Sequence, residues 1–461
     1  MVVLCGTANA ERRTSNPRGQ CRMIALDHPT AGVLRRWHAA GNLRLADLRF
    51  DPAPECLALW DFVLSEEDRL RAAQAAGGFI VGAMKDLGTI PVLVAAIPRA
   101  RAFYPDGAWW LPCLQRQSGG QLAAADRLGI GEGFCPVRAL LGCYAAGSDF
   151  PSPDLDICAV GATCDDFSAV AQRLAGLGRD PLWWELPAFR APDPGEAAVT
   201  LPNGEAAPAV LVAAVAAELQ RVRVALGRAT GTALDDLALR ASIRRANQVR
   251  ARVREIRELA LGAPYSPLPA VELLLTEILA LHFCSDLDRC LEILDGVQAV
   301  VADRVARGVG HQPADAVRVL WLNPVADLRV LQWLEEAGGR LAGTDFMTAQ
   351  AMAPISEDLP PITALAQVAL CDRMIGSDRR RAALAVAEAR PRGIETVVVA
   401  RVPGASHGCS EGPAMAQAVA TMGWPVVSIE VPVVADAASG QIRGRLEALL
   451  ETALTRRTVR P

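Results

Sequence analysis

"LDICAVGATCDDFSAVAQRLAGLG", residues 155–178, contains a complete strand–turn–helix unit. The apolar run from Leu155 to Val160 reads as a strand, Gly161 breaks it, and Asp165, Asp166 and Phe167 open a helix. Cys164 stands at the bend. "ETVVVARVPGASHGCSEGPAMAQAVATMG", residues 395–423, has the same layout: a β-branched run, a small-residue turn carrying Cys409, then a helix. Units of this kind, repeated, build a parallel sheet with helices on its faces, because a parallel strand pair needs a long crossover. The expected fold class is therefore α/β, with two Rossmann-like parallel-sheet domains facing a cleft and joined by a helical section.

Working outward from these units gives the boundaries. Residues 1–60 carry short helical patterns and read as an N-terminal helical cap. Residues 61–205 alternate helices with apolar runs and form the first α/β domain. Within it, "SEEDRLRAAQAAGGFIVGAMKDLG" (65–88) reads as helical and leads into the apolar run "TIPVLVAAIP" (89–98). Residues 206–312 lose the strand pattern and read as long amphipathic helices. Residues 313–461 resume the alternation as the second α/β domain. The two α/β regions have similar size, and no clean sequence repeat links them.

Composition narrows the function. The chain has 461 residues, 51% hydrophobic and 21% charged, with a net charge of −4, which describes a globular protein able to bury several cores. No Lys/Arg stripe with interleaved aromatics appears, so nucleic acid is not an expected partner. The basic residues are nearly all arginine, and Lys85 is the single lysine. No run approaches the ~20 apolar residues that cross a bilayer, and the start lacks the order of a secretory signal, so no membrane partner and a cytoplasmic location are expected.

Twelve cysteines in such a chain are not expected to form a disulfide framework, and no two are spaced C-x-x-C, which argues against zinc ribbons and ferredoxin runs. A metal site must be gathered from distant segments. In open parallel sheets, ligands collect beyond the carboxyl ends of the strands, where Cys164 and Cys409 fall. Cys135, in "GEGFCPVRALLGCY" (131–144), precedes a proline suited to a first helical position and should occupy an N-cap. Helix N-termini favour anions and lower thiol pKa values. Three such thiolates are enough to hold a four-iron cluster with one iron left open.

These residues resemble the 2-hydroxyacyl-CoA dehydratase and benzoyl-CoA reductase family. The matching features are "GEGFCPVRALLGCY", "PDLDICAVGATCDDFSAV", the strand–helix start "RVLWLNPVADLRVLQWLEEAGGRL", and the closing series with Cys409, Glu430, Gly440, Gln441, Arg445 and Glu447. The resemblance implies a [4Fe-4S] cluster held by Cys135, Cys164 and Cys409. It also implies a separate ATP-hydrolysing iron–sulfur activator protein and a homodimer or a heterodimer with a related subunit. The energy source is expected elsewhere, because no G-x-x-x-x-G-K-[ST] motif occurs and no nucleotide is expected to be bound by this chain.

One branch of the family holds an [8Fe-9S] double-cubane cluster, which requires six thiolates; Cys113, Cys143 and Cys371 are the candidate extra metal ligands. His407 and Glu411, beside Cys409, are the candidate catalytic proton carriers. "GCSEG" (408–412) also fits a serine nucleophile elbow, yet no histidine follows Ser410 to complete a triad in hydrolase order. A remaining alternative is a non-catalytic scaffold subunit of the same fold.

Overall fold

The computed structural model describes residues 32–39, 47–85, 88–105, 118–147, 150–281, 285–406, 411–433 and 435–459. The first sheet contains β1 (Phe79–Met84), β2 (Ala100–Phe103), β3 (Leu155–Gly161) and β4 (Leu182–Leu186), all parallel, in the order β2-β1-β3-β4. A short antiparallel hairpin, β5 (Ala198–Thr200) and β6 (Ala206–Pro208), follows it. The second sheet contains β7 (Val317–Leu322), β8 (Gly339–Asp345), β9 (Thr396–Arg401) and β10 (Val426–Glu430), also all parallel, in the order β10-β9-β7-β8.

The expected two parallel-sheet α/β architecture is therefore present. Both sheets share one topology: the first strand of each lies between its second and its third. In each, the strand order reverses between the first and third strands, so the crevice for a ligand opens beside the carboxyl ends of β1 and β3, and of β7 and β9. The segments bearing Cys164 and Cys409 follow β3 and β9, which are equivalent strands of the two sheets.

One local expectation is overturned. Residues 65–88 are not one helix: the helix Glu66–Ala75 stops before Gly77 and Gly78, and "FIVGAM" becomes β1. The apolar run after it is the helix Ile90–Ala95, started by Pro91 near its first position. Phe-Ile-Val prefers extended backbone, and β1 is buried along nearly its whole length at the centre of its sheet.

In chain order the two sheets are separated by the helices Ala209–Thr230, Asp236–Gly262, Ala270–Ile278 and Leu287–Arg307. A continuous core runs from the helix Pro54–Leu64 through the inner sides of both sheets, with Trp60 and Trp321 fully buried. A second core covers the other face of the first sheet. There the helix Pro361–Ala369, which belongs by chain order to the second domain, packs beside Ala209–Thr230. The amide of Phe189 donates to the carbonyl of Ile375 at 2.7 Å, pinning this crossing segment. Among the described residues no helix is long and apolar enough to cross a membrane.

Candidate functional site

Cys164 caps the helix Asp165–Gly176 in extended backbone (φ −164°, ψ 116°). It makes no side-chain cap hydrogen bond, although the nearby amides of Asp166 and Phe167 favour charge on its sulfur. Cys135 occupies the N-cap of the 3-10 turn Pro136–Arg138, which runs into the helix Ala139–Ala146, with no side-chain cap hydrogen bond; the nearby Val137 amide favours charge on its sulfur. Both thiols thus sit at helical N-termini, as their spacing predicts. They lie close enough for the charge of Cys164 to act on Cys135.

The expected fall in their pKa does not occur. Burial pushes the Cys135 thiol well above its usual value and raises that of Cys164, because the cost of a buried charge outweighs the amides and the nearby Lys85 ammonium. The free thiols are protonated at neutral pH. A bound cation reverses this, since a metal deprotonates its thiol ligands.

The second domain closes on the same place. Gly404, three residues beyond β9, has φ 79°, and a Cβ there would meet the Phe134 carbonyl oxygen at 2.4 Å. The amide of Ser406 donates to Asp166 Oδ2 at 2.9 Å. Asp166, read in the sequence as a helix-opening residue, therefore also joins the two domains. The chain is held against both cysteine-bearing loops to within three residues of Cys409. Cys409, His407 and Cys113 lie outside the described residues. Among the described residues no three His, Cys, Asp or Glu side chains gather at metal-binding spacing.

The remaining candidates separate. Glu411 immediately precedes the helix Gly412–Thr421. Burial raises its carboxyl pKa and the Arg381 guanidinium, with Nη1 3.9 Å from Glu411 Oε2, opposes that shift. Cys143 is fully buried in the helix Ala139–Ala146, in the core that also holds Cys135. Cys371 belongs to the core on the other face of the first sheet. Its thiol donates to the Gln367 carbonyl at 3.4 Å, and its charged neighbours are Glu205, Arg380 and Arg250. Cys158, not among the sequence candidates for ligation, lies in β3 near Cys164 and is wholly buried. Lys85, at the end of β1, is the basic neighbour of Cys164.

The two α/β domains share one winding, and the loop after β9 meets the segments that carry Cys135 and Cys164. A family model described as 2-hydroxyglutaryl-CoA dehydratase, D-component, matches residues 88–453, and the chain belongs to that family. A comparison with curated proteins gives no match.

Proposed function

We propose that this chain is the catalytic component of a two-component, low-potential dehydratase or reductase that holds an iron–sulfur cluster through Cys135, Cys164 and Cys409. The observation that carries the reading is the meeting of the Cys135 and Cys164 loops with the loop that leads to Cys409, fixed by Gly404 on Phe134 and by Ser406 on Asp166. The donor chemistry fits: thiolates are the ligands such clusters take, and both sulfurs stand at helical N-termini, which favour the charge left on them. When bound, such a cluster supplies one-electron reduction at low potential.

The protein's own residues then have definite tasks. The capping thiols would hold the cluster, and Glu411, half-buried with Arg381 Nη1 3.9 Å from its Oε2, would carry a proton near Cys409. The family description names one component of a larger system, which supports an ATP-hydrolysing activator and a related subunit as partners. The position of Cys371 on the far side of the first sheet favours one cubane over a six-thiolate double cubane.

Iron and sulfide analysis of anaerobically purified protein tests the reading. About four irons per chain are expected, falling sharply when Cys135, Cys164 or Cys409 is individually changed to serine. About eight irons points to the double cubane. Iron-free protein that also fails to take up iron and sulfide on reconstitution ends the proposal.

A further inference from the structure

Four non-glycine residues among those described have positive φ, and two of them hold equivalent places. Lys85 (φ 49°) follows β1 and Asn323 (φ 74°) follows β7, each at the strand-order reversal of its sheet. Asparagine is among the few side chains that enter this region readily. At Asn323 the backbone turns out of the ladder and the side chain takes its place. The β7–β9 register runs Trp321↔Val398 and Leu322↔Val399, so the next pair in step is Asn323 and Ala400. There Nδ2 of Asn323 donates to the Ala400 carbonyl at 2.9 Å. The Asn323 amide donates to the Asp345 carbonyl, at the end of β8, at 2.9 Å, and the Asn323 carbonyl accepts the Trp321 indole N–H at 3.0 Å.

Asn323 is wholly buried, and its Oδ1 has no partner among the described residues. A half-paired amide in a core carries a cost that an apolar side chain avoids, which points to a task for the bonds it does make. Those bonds converge on the end of β9. Two residues beyond Ala400, Val402, Pro403, Gly404 and Ala405 form a turn closed by the Ala405 amide on the Val402 carbonyl at 3.1 Å. Proline second and a glycine at φ 79° third is the type II pattern, a stiff link. Val402 and Ala405 are buried, and the next residue, Ser406, bonds to Asp166 of the first domain. The position of the Ala400 carbonyl is thereby passed on to the point where the two domains meet.

We propose that Asn323 is a positioning residue for the sulfur donor of the second domain. By tying the ends of β7, β8 and β9 together it sets the start of the turn that leads to Cys409. What Cys409 holds rests on the iron–sulfur reading; the placement of the turn does not.

Hydrogen exchange of the iron-free, full-length protein, read by mass spectrometry, tests that placement. Asn323→Gly accepts the positive φ and removes the side-chain amide, and its thermal melt checks the fold. The Ala405 and Ser406 amides are expected to exchange about tenfold faster, or more, than in wild type, while the helix Ala209–Thr230 keeps its rate. In protein loaded with iron and sulfide, the EPR spectrum of the reduced cluster is expected to change in Asn323→Gly at the same iron content. A wild type that takes up no iron ends the iron–sulfur reading and leaves the exchange result to decide the role of Asn323. Unchanged exchange at Ala405 and Ser406, equal acceleration in the control helix, an unaltered spectrum at full loading, or a variant that does not fold overturns the proposal.

Discussion

The amide of Ser406 lies 2.9 Å from Asp166 Oδ2, a bond that crosses from the loop after β9 to the helix after β3. The same oxygen is 4.0 Å from the Cys164 sulfur. One buried carboxylate therefore touches the first domain's thiol and the second domain's cysteine-bearing loop. Replacing it with alanine should cost about 2 kcal/mol, the usual loss for a hydrogen bond to a buried charged group. Urea unfolding measures this, and iron retained after gel filtration should fall in parallel. Asp165→Ala, one residue earlier and exposed, serves as the control and should change stability little. Equal behaviour of the two variants removes Asp166 as the join.

Gly404 makes the second contact of that join. Alanine there meets both a positive φ of 79° and the Phe134 carbonyl at 2.4 Å, a backbone atom that cannot swing aside. Gly404→Ala should destabilise by roughly 3 kcal/mol and loosen the cleft. Gly423→Ala separates the two causes, since Gly423 has φ 91° with no atom within 4 Å of its Cβ position. It pays the conformational strain alone. A Gly404 variant no worse than the Gly423 variant means the two loops are not tightly packed.

How much of this the sequence reveals depends on whether the deciding contact is local. The strand–turn–helix units around Cys164 and Cys409 are legible because the period change and the turn residues lie within one short stretch. The N-cap position of Cys135 is legible from Pro136. β1 is not, because "FIVGAM" is short, follows a helix at once, and offers no alternation to distinguish a buried strand from a helix. The carboxylate of Asp166 reads as a helix opener until a loop 240 residues away is folded onto it. The thiol pKa values reverse expectation for a similar reason: the helix terminus is visible in the sequence, and the burial that outweighs it is not.

The helical section is joined to the second sheet through Arg257. Its Nε lies 3.1 Å from Glu277 Oε1 and 3.2 Å from Thr344 Oγ1, and Nη2 donates to the Thr344 carbonyl at 3.0 Å. Glu277 is fully buried. Arg257→Met leaves that carboxyl without its cation and should cost about 3–5 kcal/mol. Adding Glu277→Leu removes the orphaned group, so the double variant should recover much of the loss in the same unfolding experiment. A double variant as unstable as the single one assigns the cost to packing and not to the stranded charge.

Stability should also depend on pH through Glu272. This residue is wholly buried. Its Oε1 accepts the Asp51 amide at 2.9 Å and the Trp60 indole N–H at 3.0 Å, while Oε2 has no partner among the described residues. Burial, with the Asp51 charge adding to it, pushes the Glu272 carboxyl from an ordinary 4.5 up to about 7, against the opposing His311. Between those pH values the folded chain keeps a proton that the unfolded chain has released, so stability falls as pH rises through that window and levels off above it. The group's share is roughly 3 kcal/mol across the window. Asp51 works in the opposite direction. Its carboxylate, bound by Arg304 and His311, is held well below the usual range, so its stabilisation is lost only in stronger acid. Glu272→Gln keeps the Oε1 acceptor and removes the titration. The difference in unfolding free energy between wild type and this variant should therefore slope downward from pH 4.5 to 7. A flat difference means that Glu272 ionises in the folded chain as it does in the unfolded one.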